Sequence, residues 1–260
     1  MCLITFAYNC HPEYSFILLA NRDEFYQRPS DPLGYWKEQP DILAGRDREK
    51  LGTWLGINTR GAFTAITNYR DGSRPSKPLR SRGELTANYL SSDDSAATYA
   101  QQLEGSKAQY GEFNLLLADD SGLYSCASRT AGVQKLEPGI YALSNALLDT
   151  PWPKLKEVKQ NLSNEIKQKE LDISSLFKIM RNSARACDVD LPSTGISKEW
   201  EKQLSSIFIQ LETYGTRATT VLLQKPNGTT RIIEQNYNVN GPTEKLEFAL
   251  DTIPIGIKQK

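Results

Sequence analysis

The chain has 260 residues, with Lys plus Arg equal to Asp plus Glu at 31 each, one histidine and four cysteines. That length can bury a large core, and nothing in the balanced global charge calls for nucleic acid or a membrane surface. No apolar run approaches the roughly 18 residues of a spanning helix, and Cys2, Cys10, Cys126 and Cys187 lack the spacing of a zinc cage or a disulfide framework, which fits a reducing, cytoplasmic compartment.

The start of the chain has no basic segment, and its apolar run at residues 16–20 is only a strand in length, so a secretory leader is not expected. Residues 3–8 and 15–20 are rich in β-branched and aromatic side chains. They flank the turn cluster Asn9, Cys10, His11, Pro12 and Glu13, and together read as an antiparallel hairpin. If the turn centres near Pro12, facing residues have numbers that sum to about 24 or 25. Cys2 then lies opposite Arg22 and Asp23, inside the polar run Asn21, Arg22, Asp23 and Glu24.

Residues 27–40, polar and proline-containing, read as loop. Residues 53–58 and 62–67 around Thr59, Arg60 and Gly61 give a second hairpin. A loop is expected over 71–80, with Gly72, Pro75 and Pro78. Ser81 and Glu84 then have capping-box spacing at the head of a helix carrying Leu85, Tyr89 and Leu90. A second helix is expected over 95–103, followed by strands over 113–118, 123–128 and 140–144. Pro151 opens the clearest helix, in which Leu155, Val158, Leu162 and Ile166 form one stripe. A further helix over 173–184 and a hairpin of 217–224 with 230–237 complete the chain. Hairpins first, helices in the middle and a late hairpin imply a single α+β domain, residues 1–260, with helices packed on antiparallel sheets.

Position 2 carries the chemistry. A cysteine attacks a carbonyl as the thiolate, which needs a base. In the hairpin reading His11 sits at the turn, nine residues from Cys2, roughly 25–30 Å away at strand rise, so it cannot be that base. The α-amine of Cys2 itself, freed when an aminopeptidase removes Met1, has a reference pKa of about 7.7–8 against about 8.5 for the thiol and can accept its proton. Arg22 and Asp23 are adjacent and in a regular strand face opposite ways, so only a bulge would aim both at Cys2.

Met1-Cys2, Asn21-Arg22-Asp23-Glu24 with Phe25-Tyr26 and Arg28-Pro29, Gly52-Thr53-Trp54-Leu55-Gly56, Thr67-Asn68-Tyr69 and Arg82-Gly83-Glu84-Leu85 resemble the NRDE family, also called the transport and Golgi organisation protein two family. The likeness is densest over residues 1–90. That family is similar in turn to cysteine N-terminal-nucleophile hydrolases such as penicillin V acylase and bile-salt hydrolase, which implies a four-layer αββα sandwich of two antiparallel sheets. The wider resemblance puts the catalytic set on Cys2, Arg22, Asp23, Asn145 and Arg217, with Asp23 orienting the α-amine, Arg22 lowering the thiol pKa and Asn145 donating to an oxyanion. Asn21, Glu24, Trp54, Asn68, Arg70 and Arg82 are the accompanying ligand-binding candidates, and no metal site is expected.

For function, the family resemblance implies handling of intracellular haem, a non-covalent cargo passed to haem acceptor proteins, since no haem attachment motif is present. The alternative is an amidohydrolase that cleaves a C–N amide bond of a small acylated substrate through Cys2. A third reading is a scaffold that binds an acyl or lipid ligand without turnover. Each candidate also has a plain explanation. Cys2 can be the second residue of a strand, and Asn21 to Glu24 a strand-ending turn. Arg70, Arg74, Lys77, Arg80 and Arg82 can form a solvated face, the four tryptophans can be packing residues, and His11 a solvated turn residue.

Overall fold

The computed structural model describes residues 2–73, 79–168 and 170–256. The first hairpin forms in the register the turn implies: β1 (Cys2–Tyr8) pairs antiparallel with β2 (Phe16–Phe25), Cys2 facing Arg22 and Tyr8 facing Phe16. Side chains alternate across these strands. Ile4, Phe6, Phe16 and Leu18 point one way, and Leu3, Ala7, Ile17 and Leu19 the other. The hairpin is therefore buried on both faces and needs two different partners.

The later strands are β3 (Ser30–Tyr35), β4 (Ile42–Asp47), β5 (Leu55–Asn58), β6 (Phe63–Asn68), β7 (Phe113–Asp119), β8 (Gly122–Ala127), β9 (Gln134–Lys135), β10 (Gly139–Leu143), β11 (Tyr214–Gln224), β12 (Thr229–Asn238) and β13 (Gly241–Asp251). The helices are α1 (Gly83–Ser91), α2 (Ala96–Leu103), α3 (Pro153–Glu165), α4 (Ile173–Ile179) and α5 (Lys198–Gln203). One sheet runs β10-β1-β2-β11-β12-β13, the other β3 to β9 in chain order.

Phe6, Phe16 and Leu18 of the first sheet meet Leu43, Ile57, Phe63 and Leu116 of the second in the central core. The outer face of the first sheet, with Leu3, Leu19 and Val221, packs on Leu155, Val158 and Leu162 of α3 and Leu176 of α4. On the second sheet, Phe113, Leu115 and Leu117 pack on Leu85 and Tyr89 of α1 and on Ala96 and Ala100 of α2. The layers are thus helix, sheet, sheet, helix: the α+β, four-layer αββα sandwich. Each fully buried Leu or Phe in these layers contributes about 1.5–3 kcal/mol.

Several elements differ from the sequence reading. β3 occupies part of what reads as loop, because it is an edge strand whose irregular pairing between Asp31 and Gly34 accommodates Pro32, and β4 (Ile42–Asp47) fills a stretch to which the sequence reading gives no element. β13 pairs along β12, and its alternation of Leu246, Phe248 and Leu250 with Lys245, Glu247, Ala249 and Asp251 is a strand signal. α3 begins at Pro153 rather than Pro151, with Trp152 extended at its N-cap. α4 stops at Ile179 rather than 184: the Asn182 side chain accepts from the Ala184 N–H and its carbonyl accepts from Phe208, turning the chain away. Half of the capping box forms, with Glu84 accepting from the Ser81 N–H.

Candidate active site

Cys2 opens β1 between two partners, Arg22 on β2 and the strand end after β10, where the Ser144 hydroxyl donates to the Cys2 carbonyl at 3.0 Å. A cleft of about 580 Å³ opens over it, walled by Glu24, Trp54, Asn68 and Arg82 among others. Two glycines shape the far wall. A β-carbon on Gly52 would fall 2.3 Å from the Gly83 backbone, so only this pair lets the first turn of α1 lie against residue 52 and bring Arg82 to the cleft.

Arg22 is 7% exposed. Its Nη1 donates to Ser30 Oγ at 3.0 Å, and its guanidinium lies 3.9 Å from the Trp54 ring centroid. Arg82 Nη1 donates to the Glu112 carbonyl at 3.1 Å. Burial lowers the pKa of both guanidiniums, and the Cys2 sulfur is the leading opposing influence on each. Among the described residues neither has a carboxylate within ion-pairing distance.

Asp23 faces the helix side of the sheet, as adjacency to Arg22 requires. Its Oδ1 accepts from Thr216 Oγ1 at 2.7 Å and its carbonyl accepts from the Tyr214 hydroxyl at 3.0 Å. Burial raises its pKa, and the Lys154 ammonium opposes that rise. The bulge anticipated in β2 lies instead in β11, between Thr216 and Ala218. Asp23 nevertheless acts on Cys2, because its main-chain N–H points at the sulfur. For the thiol itself, burial raises the pKa, the Asp23 charge adds to the rise, and Arg22 with the Asp23 N–H opposes it. The net shift is upward, so the thiol depends on a nearby base.

The other candidates separate into groups. Asn145 is fully buried, and its Nδ2 donates to the Asn68 carbonyl and to Asn68 Oδ1 at 2.9 and 3.0 Å. The cleft residue of this pair is Asn68, whose Oδ1 is thereby occupied and whose Nδ2 remains for a ligand. Asn21 lies on the helix side, donating to the carbonyls of Met180 and Ile207 and accepting from Thr219 Oγ1. Arg217 sits at the bulge and donates to the carbonyls of Phe25, Tyr26 and Arg28. Arg70 is buried in an ion pair with Glu201 at 2.8 Å, over the Trp152 ring. The structure thus gathers Cys2, Arg22, Asp23, Glu24, Trp54, Asn68 and Arg82 around one cleft. Asn21, Asn145, Arg70 and Arg217 lie behind or beside it.

The basic cluster disperses accordingly. Arg80 pairs with Glu84, and Arg74 and Lys77 lie outside the described residues. His11 is buried rather than solvated at 8% exposure, its Nδ1 accepting from the Glu13 N–H at 3.1 Å. One residue that the sequence reading passes over is Lys154 at the head of α3. It is 4% exposed, its Nζ donates to the Leu204 carbonyl at 2.9 Å, and burial brings its pKa down to about 8. Its spacing of four from Val158 put it on the apolar stripe, which is the signal that could have found it.

Two antiparallel sheets packed face to face between layers of helices, with Cys2 heading an inner strand of one of them, define the class of αββα sandwich proteins. The chain belongs to the Transport and Golgi organisation 2 family, whose model matches residues 1–239. The mouse Transport and Golgi organization 2 homolog is 35% identical over 261 residues, covering 91% of this chain and 93% of the mouse protein. Two solved structures are similar at 10% identity. One is a Caenorhabditis elegans ortholog of N-acylethanolamine-hydrolyzing acid amidase (TM-score 0.46, covering 69% of this chain and 86% of that one). The other is a C2A mutant of conjugated bile acid hydrolase from Clostridium perfringens (TM-score 0.41, 95% and 96%). No helix among the described residues is long and apolar enough to cross a membrane.

Proposed function

We propose that the cleft over Cys2 takes a small acylated amide bearing an anionic group and cleaves its C–N bond. The observation that carries this reading is the pair of guanidiniums, buried Arg22 and half-buried Arg82, that line the cleft with the sulfur and have no carboxylate partner among the described residues. A buried, unpaired cation is costly, and a ligand carboxylate or phosphate would offset that cost. After removal of Met1, the α-amine of Cys2 takes the thiol proton and the sulfur bonds to the acyl carbon. Asn68 Nδ2 donates to the oxyanion, held in place by Asn145. The C–N bond breaks, the leaving amine takes the proton from the α-ammonium, and water releases the acyl group as a carboxylic acid. Asp23 orients the α-ammonium, and the Lys154 ammonium favours its charged form against burial.

The test uses protein made without an N-terminal tag. Its mass should lack Met1, and incubation with a set of N-acyl amino acids should add an acyl mass to the Cys2 peptide, lost in Cys2→Ala. An intact Met1, or no acylation from any member of the set, overturns the reading. A second reading is favoured by the same two cations beside the flat Trp54 face: haem as cargo, with its propionates on Arg22 and Arg82 and Cys2 as a sulfur donor. It expects a Soret shift on titration with micromolar haem and transfer to an apo-haem acceptor; an unchanged spectrum removes it.

A further inference from the structure

A second cavity of about 330 Å³ lies beside the Cys2 cleft, and the two share two lining residues, Arg22 and Trp54. These are the stacked pair, with the guanidinium 3.9 Å from the indole centroid. A small void directly under Cys2 is bounded by the same two side chains. The pair therefore forms a common partition with the sulfur on one side. Its position depends on Gly45: a β-carbon there would fall 2.3 Å from the indole Cζ2 and 3.2 Å from the Asp31 carbonyl. The ring lies flat on β4 because that residue has no side chain.

The walls of the second cavity are polar. Asn236, Asn238, Thr243 and Glu244 contribute amide, hydroxyl and carboxylate groups. Glu234, buried nearby on β12, accepts from the Leu33 N–H, Asn236 Nδ2 and Thr220, so the wall groups left to a ligand are those of Asn238, Thr243 and Glu244.

We propose that this cavity is a second subsite for the hydrophilic end of the ligand, one rich in hydroxyl or amide groups, and that Trp54 sets how far a ligand bound at Cys2 extends into it. The proposal rests on the reading of the Cys2 cleft as the reacting site, but its test needs no turnover. Iodoacetamide and an N-substituted iodoacetamide with an ethylene-glycol tail react with Cys2, and the ratio of their rates is read by mass on the Cys2 peptide, apart from exposed Cys10 and Cys187. Trp54→Ala opens the partition and raises the long-to-short ratio about tenfold, the scale of pocket discrimination between ligands of different length. Gly45→Ala, which displaces the ring from behind while leaving it present, raises the ratio in the same direction. Adding Asn238→Trp to Trp54→Ala refills the cavity and returns the ratio to that of the unmodified protein.

A ratio unchanged in both Trp54→Ala and Gly45→Ala overturns the proposal, as does a gain that Asn238→Trp fails to reverse. If neither reagent labels Cys2 in any variant, the cleft and the subsite fall together. If labelling follows the expected ratios while no amide is ever cleaved, the hydrolytic reading fails and the subsite stands.

Discussion

Asn21 offers the sharpest separation of scaffold from site. Although it starts the polar run beside Cys2, it is 1% exposed on the helix side of β2 and saturates its side chain with three partners, the carbonyls of Met180 and Ile207 and the hydroxyl of Thr219. It thereby fastens the end of α4 and the segment before β11 to the central sheet. Asn21→Ala leaves two carbonyls and one hydroxyl unmatched in a dry interior, each costing about 1–3 kcal/mol. Some relaxation recovers part of this, so the expected loss is about 3–5 kcal/mol, or roughly 10 °C in Tm for a chain of this size. Urea unfolding followed by circular dichroism measures the loss, and iodoacetamide labelling of Cys2 on the folded protein measures the site. The expected result is a large fall in stability with the labelling rate little changed, since the Asn21 side chain is engaged on the helix side of β2, away from the cleft. A loss under about 1 kcal/mol, or a labelling defect without one, would falsify the clamp and return Asn21 to the cleft.

Opposite charges beside the sulfur give opposite shifts. Arg22→Met removes an influence that favours the thiolate, so the pH profile of Cys2 alkylation moves to higher pH, whereas Asp23→Asn removes one that opposes it and moves the profile lower; shifts of the same sign in both variants refute the assignment. Lys154 has a pKa lowered from 10.5 to about 8 by burial. Between those values the unfolded chain holds a proton that the folded chain does not, so stability rises with pH through that window. The stability difference between the natural chain and Lys154→Met should grow by about 3 kcal/mol from pH 8 to pH 10.5, and a flat difference in denaturant titrations counts against it. Gly52→Ala forces the α1 backbone away from residue 52. It should lower stability by about 2 kcal/mol or more and weaken binding of an anionic ligand at Arg82 in calorimetric titration; unaltered affinity would mean that Arg82 does not face the ligand.

Much of the layered fold was legible because its strands and helices carry clean periods: the β1–β2 register follows from one turn, and the α3 stripe from four apolar residues. The illegible parts have local causes. An edge strand tolerates Pro32 and so reads as loop, and an Asx-type turn at Asn182 stops a helix that its side chains would continue. At the site, Cys2 against Arg22 follows from strand arithmetic. The depth at which a side chain ends does not. Asn21 and Asn145 carry the same functional group as Asn68, yet only Asn68 reaches the cleft, because the choice is made by what packs behind each strand. Lys154 was hidden for the converse reason: an ammonium on an apolar stripe reads as an edge position until Asp23 is found facing it.

The strand beside Cys2 is completed from the far end of the chain, where the Thr216 hydroxyl meets Asp23 across 193 residues. A ribosome adding about 5–20 residues per second reaches position 216 roughly 10–40 s after position 23. Throughout that interval β2 has no β11 to lie against. Any truncation that omits the last strands therefore strips one edge of β2 bare and leaves the Asp23 carboxylate without the Thr216 hydroxyl that holds it.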